Sequence, residues 1–152
     1  MTSAENAVYV AFICVGAISG ALLRYAVDIF AEIYKLAPYH LTAVNVFGSF
    51  IIGITYRKYK SDYINYYIYL LLSVGFCSSF TTFSSYALNL ILLLEKGHYW
   101  QSVIFFLCNN FLCMLAVWIG LSCIWIRISN PPFNLFIYYL NQYQLWKQNI
   151  CL

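Results

Sequence analysis

The chain has 152 residues, of which 63% are hydrophobic and only 9% charged, with a net charge of +3. Soluble domains carry about a quarter charged residues, so this is the composition of a one-domain integral membrane protein and not of a water-soluble fold. So small a positive balance gives no reason to expect nucleic acid as a partner.

The first apolar stretch covers residues 7–29. No basic region precedes it and no cleavage site follows, so it is read as a retained membrane helix rather than a signal peptide. Gly16 and Gly20 make a small-residue face, and Arg24 follows one turn later on the same side. Arg24 either reaches out to the interface or caps a polar vestibule that draws anions. The second stretch, residues 39–56, begins after Pro38 and is closed by Arg57, Lys58, Lys60 and Asp62. Asn45, Ser49 and Gly53 are spaced by four and share a helical face. A buried amide needs partners. Asn45 is therefore either glue between helices or an NH2 donor for an anion.

The third stretch, residues 63–94, would be about 48 Å long as one straight helix. The hydrocarbon layer is about 30 Å thick. Its middle reads GFCSSFTTFSSY, residues 75–86, rich in hydroxyls and free of charge. The expectation is one crossing broken at this stretch, since non-helical backbone at depth survives only where protein or a polar cavity satisfies it. Such breaks present carbonyls and helix ends to ions. The alternative is a tilted, continuous helix whose hydroxyls bond back to their own turns. The fourth stretch, residues 99–126, ends at Arg127, before Asn130, Pro131 and Pro132, and carries Asn109 and Cys113 four apart with Asn110 alongside. The expected fold class is an all-α integral membrane protein with four transmembrane helices, the third broken mid-membrane. Residues 1–130 form the membrane unit. Residues 131–152 form an aromatic tail, either an interfacial helix or disordered.

What is missing narrows the function. The five carboxylates, Glu5, Asp28, Glu32, Asp62 and Glu95, all fall near segment ends or in loops. Coupled pumps and small drug exporters need an ionisable group inside the bilayer. The six cysteines form no CxxC, and no metal-ligand cluster, nucleotide loop or nucleophile elbow is present. An uncharged polar interior suits passive conduction better than coupled transport or catalysis.

Three motifs carry a resemblance. GAISGALLRY (residues 16–25), VNVFGSFIIG (residues 44–53) and GFCSSFTTFSSY (residues 75–86) are similar, in order and spacing, to the motifs of the CrcB/Fluc family of fluoride channels. The resemblance implies an antiparallel, dual-topology-like dimer in the cell (inner or plasma) membrane with two fluoride pores, exporting toxic fluoride passively. It implies a structural sodium ion at the dimer interface, held by backbone carbonyls of Ser78 and Thr81. The pore asparagine falls on Asn45, the pore phenylalanine on Phe83 and the vestibule arginine on Arg24. Hydroxyls of Thr82, Ser84 and Ser85 lie in the same box. Gly16, Gly20, Ser49 and Gly53 are assigned to helix packing. Departures fall on the polar path: Tyr86 replaces a second phenylalanine, Ser78 a glycine, Leu41 a threonine, Asn89 a carboxylate, and Asn109 and Cys113 small hydroxyls. These keep open a non-conducting or partner-dependent subunit of a heteromeric channel. Five basic residues on the side of the termini against two opposite favour a fixed orientation and pairing with an oppositely oriented relative.

Overall fold

The computed structural model describes residues 3–123. Helix α1 spans Ser3–Ile33 and α2 spans Tyr39–Lys60. A composite segment follows: α3 (Tyr66–Tyr69), a π-helix (Leu70–Cys77), α4 (Ser78–Phe80) and, after a two-residue interruption, α5 (Phe83–Glu95). Helix α6 spans Tyr99–Ser122. The described residues contain no strand. The aromatic tail and the last residues of the fourth predicted stretch lie outside the described residues.

Three helical stretches are long and apolar enough to cross a membrane: Glu5–Ile33, Tyr66–Glu95 and Tyr99–Ser122. Together with an exposed apolar surface that includes Val15, Ile18, Leu22, Phe111, Met114 and Trp118, they define a multi-pass membrane protein. Helix α2 has 22 residues, about 33 Å, but is more polar, with Asn45 and Ser49 inside and Arg57, Lys58 and Lys60 in its last turn. The sequence places those cations beyond the helix. The structure keeps them within it, where positive charge complements the C-terminal end of the helix dipole.

Glycines set two close packings. Gly16 and Gly20 of α1 lie against backbone atoms of Leu71, Phe76 and Phe80, and a Cβ on Gly75 would stand 2.6 Å from the Ile13 carbonyl oxygen. This brings α1 onto the π-helix and α4 with almost no side chain between them. On the other side, a Cβ on Gly53 would stand 2.6 Å from the Val117 oxygen, and one on Gly120 would stand 2.5 Å from the Phe50 oxygen. Helices α2 and α6 therefore touch backbone to backbone. They run parallel, since Asn45 meets Asn109 at one level and Gly53 meets Gly120 further along. A small core of Leu41, Tyr86 and Phe105 joins α2, α5 and α6. His40 Nε2 lies 3.2 Å from Asp28 Oδ1 and ties the start of α2 to α1.

Candidate functional site

The site is the interruption between α4 and α5. Thr81 (φ −79°, ψ 153°) and Thr82 (φ −145°, ψ 115°) are extended. The continuous-helix alternative is thereby excluded, and the break is far narrower than the hydroxyl-rich stretch that announces it. It falls near the middle of the Tyr66–Glu95 membrane-length stretch. The π-helix just before it was not anticipated. Its sequence, LLLSVGFC, is uniformly apolar apart from Ser73, so no periodicity betrays it. Such segments recur at functional sites in other helices.

Each end of the break is held by side chains. Thr81 closes α4: its amide and its hydroxyl both donate to the Cys77 carbonyl, at 3.0 and 2.9 Å. Its methyl packs against Gly48, where any side chain would collide with it. Thr82 caps α5, its Oγ1 accepting from the Ser85 amide at 3.2 Å. Ser78, which replaces a glycine of the motif, does not crowd the break. Its hydroxyl folds back and donates to the Ser73 carbonyl at 3.3 Å.

Asn45 satisfies the extended backbone from α2. Its Oδ1 accepts from the Thr82 amide at 2.9 Å, and its Nδ2 donates to the Thr82 carbonyl at 3.3 Å and to Asn109 Oδ1 at 3.1 Å. The carboxamide thus pairs with Thr82 as a neighbouring strand would. Asn45, Thr82 and Asn109 are all at least 93% buried, and an unpaired amide there would be expensive. Thr82's amide is the normal helical donor to the Ser78 carbonyl four residues back. Turned to Asn45, it leaves that carbonyl without it. Asn109 gives its oxygen to Asn45, while its own NH2 donates to no described residue.

Hydroxyls gather at the N-terminus of α5. Thr82 Oγ1 donates to Ser85 Oγ at 3.0 Å and lies 3.3 Å from Ser84 Oγ. With Thr82's single proton committed, Ser84 is the donor in the second contact and the Ser85 hydrogen is left over. One turn on, Asn89 donates to the Ser85 carbonyl at 2.9 Å. Asn89 also lines a cleft of about 340 Å³ shared with Lys96 and Gln101. Asn89 therefore stands between that cleft and the first turn of α5.

The two aromatic positions differ. Their ring centroids are 5.7 Å apart, yet Phe83 is 76% exposed and Tyr86 only 2%. Tyr86 belongs to the core with Leu41 and Phe105, whereas Phe83 projects from the single chain. Arg24 is half-buried and forms no ion pair with any described residue, one turn beyond Gly20. Ser49 lies on α2 between Asn45, which meets Asn109, and Gly53, which meets Gly120, along the α2–α6 seam. Gly48 and Asn110 were not singled out from the sequence as site residues. Gly48 lies three residues from Asn45, one turn along the same face, which was the available signal.

The fold and the break define a small multi-pass helical membrane protein whose membrane-length segment is interrupted by uncharged hydrogen-bonding groups. Residues 11–121 match the model of a family described as CrcB-like protein, Camphor Resistance (CrcB). A protein of Shewanella denitrificans named "Fluoride-specific ion channel FluC" is 31% identical over 119 residues, 77% of this chain and 96% of that protein. Bearers of the same name from Campylobacter lari (39% over 83 residues, 55% and 68%) and Campylobacter jejuni (34% over 110 residues, 69% and 88%) are also similar. The chain belongs to the CrcB family.

Proposed function

We propose that this chain is a subunit of a passive fluoride channel of the cell membrane, not an enzyme, that lets fluoride leave the cell down its gradient. The observation that carries the reading is the break at Thr81 and Thr82, where neutral donors and turned-out carbonyls meet. Fluoride is small and strongly hydrated, so a pathway must replace its water with fixed donors. The Ser85 hydroxyl and the NH2 of Asn109 have hydrogens to give. Asn45 works from behind them, and an anion reaching it takes the place of Asn109 Oδ1 as acceptor. The edge of the Phe83 ring is electropositive and suits an anion. Arg24 and Lys96 raise the local anion concentration.

The proposed assembly has four crossings per chain, α2 being the fourth, and two chains packed antiparallel with two pores. Phe83 would then be covered by the second copy. A structural sodium ion fits the break, because backbone carbonyls of Ser78 and Thr81 are hard oxygen donors and that of Ser78 lacks its helical partner. One chain offers too few oxygens, so a second copy would complete the set. Bound there, the cation would supply positive charge that favours nearby anions.

Fluoride efflux from liposomes holding only this purified chain tests the reading. Rapid efflux without a proton gradient is expected, and Phe83→Ile should slow it by at least about tenfold, since a ring edge is lost. Replacing sodium by a bulky organic cation during purification and assay should slow efflux and lower the melting temperature. If neither changes, the sodium proposal is wrong. A second reading, a partner-dependent subunit, is favoured by the basic cluster of Arg57, Lys58 and Lys60 at one end. Efflux that appears only on adding an oppositely oriented relative would establish it.

A further inference from the structure

Tyr86 carries a hydroxyl where the family motif has an apolar ring, and the structure gives that hydroxyl a defined direction. Asn110 Nδ2 donates to the Tyr86 hydroxyl oxygen at 3.1 Å and to the Phe106 carbonyl, one turn back on its own helix, at 2.7 Å. The second contact identifies the atom as nitrogen, because a carbonyl only accepts. Both amide hydrogens are then spoken for, and the phenol oxygen is an acceptor toward Asn110. Its own hydrogen must point elsewhere. It reaches no hydrogen-bond acceptor among the described residues. The other polar group beside it is the Cys113 thiol, only a weak acceptor. The residue is 2% exposed, so water does not easily supply the missing acceptor. A buried phenol that accepts one hydrogen bond becomes a stronger donor for the next. The group this arrangement asks for is a compact acceptor, and a small anion is the best one.

We infer that Tyr86 is an added fluoride donor in this chain, and that Asn110 is the positioning residue that aims its hydrogen. The inference rests on the fluoride-channel reading. It differs from the role of the ring edge, which phenylalanine serves equally well.

The test measures fluoride efflux from liposomes against fluoride concentration for the wild type, Tyr86→Phe, Asn110→Leu and the double variant. Tyr86→Phe keeps the ring that packs on Leu41 and Phe105, and Asn110 lies at the margin of the core, so folding should survive. Each single variant should raise the half-saturating fluoride concentration about tenfold, the usual worth of a hydrogen bond to an ion. Maximal flux should stay near the wild-type value, and the double variant should match the single ones, because all remove the same donor. A purely structural role would lower maximal flux and leave half-saturation in place. Wild-type flux with half-saturation unmoved in Tyr86→Phe, or with additive effects, overturns the inference and leaves the channel reading standing. If the wild type carries no flux, either alone or with an oppositely oriented relative, the channel reading fails, and binding decides this one separately. A fluoride-induced shift in tyrosine near-ultraviolet absorption in detergent, lost in Tyr86→Phe, would support it, and no shift would overturn it.

Discussion

Changing Asn45 to aspartate is expected to abolish fluoride efflux and to lower the melting temperature steeply. One carboxylate oxygen can keep the bond from the Thr82 amide. The other replaces Nδ2 and faces the Thr82 carbonyl and Asn109 Oδ1, both acceptors. The site is 93% buried, so the charge finds no water to screen it. Losing two hydrogen bonds and leaving an unpaired buried charge costs about 3–5 kcal/mol, more than half of the stability of many small domains. Even a folded fraction would put negative charge beside the proposed anion path. Efflux and melting should therefore fall together, by at least about a hundredfold in rate for the former. Wild-type values of both in Asn45→Asp would refute the clamp.

Gly20→Val should be the most damaging change outside the break. Its Cβ would meet backbone, the Phe76 carbonyl and the Phe80 amide, so no side chain can step aside. Either α1 retreats, losing its close packing on the π-helix, or α4 shifts and carries Thr81 with it. Overpacking of this kind costs about 1–3 kcal/mol, occasionally more. Here the displaced element is the one that shapes the site. Gly97→Ala is the comparison: a Cβ there meets nothing within 4 Å, and only the strain of φ 75° remains, about 1 kcal/mol. Thermal melting in detergent should separate the two variants widely. Equal melting points would mean that the α1 contact is not tight.

Much of the break was legible because its causes are local. Hydroxyls without charge, in a stretch too long for one straight crossing, point to an interruption. Thr82 is a natural helix cap. The four-residue spacing of Asn45, Ser49 and Gly53 likewise marks a contact face, and α6 is what that face touches. Pairing was not legible. Asn45 finds Thr82 across 37 positions and Asn109 across 64, and no spacing rule links them. The π-helix packs on α1 around Gly16 and Gly75, a contact between distant parts of the chain that its own letters do not announce. Phe83 and Tyr86, three apart, share a helical face and look equivalent. One is buried and the other exposed because Leu41 and Phe105 cover only Tyr86.

The common direction of α2 and α6 has a topological corollary. Neighbours that point the same way cannot be linked by a tight turn, so the chain must travel back the full height of the molecule between them. The interrupted segment is that return journey. Its two halves are each moored to a parallel rail, and a discontinuity that would be a loose joint in a free-standing rod becomes a fixed gap in a frame.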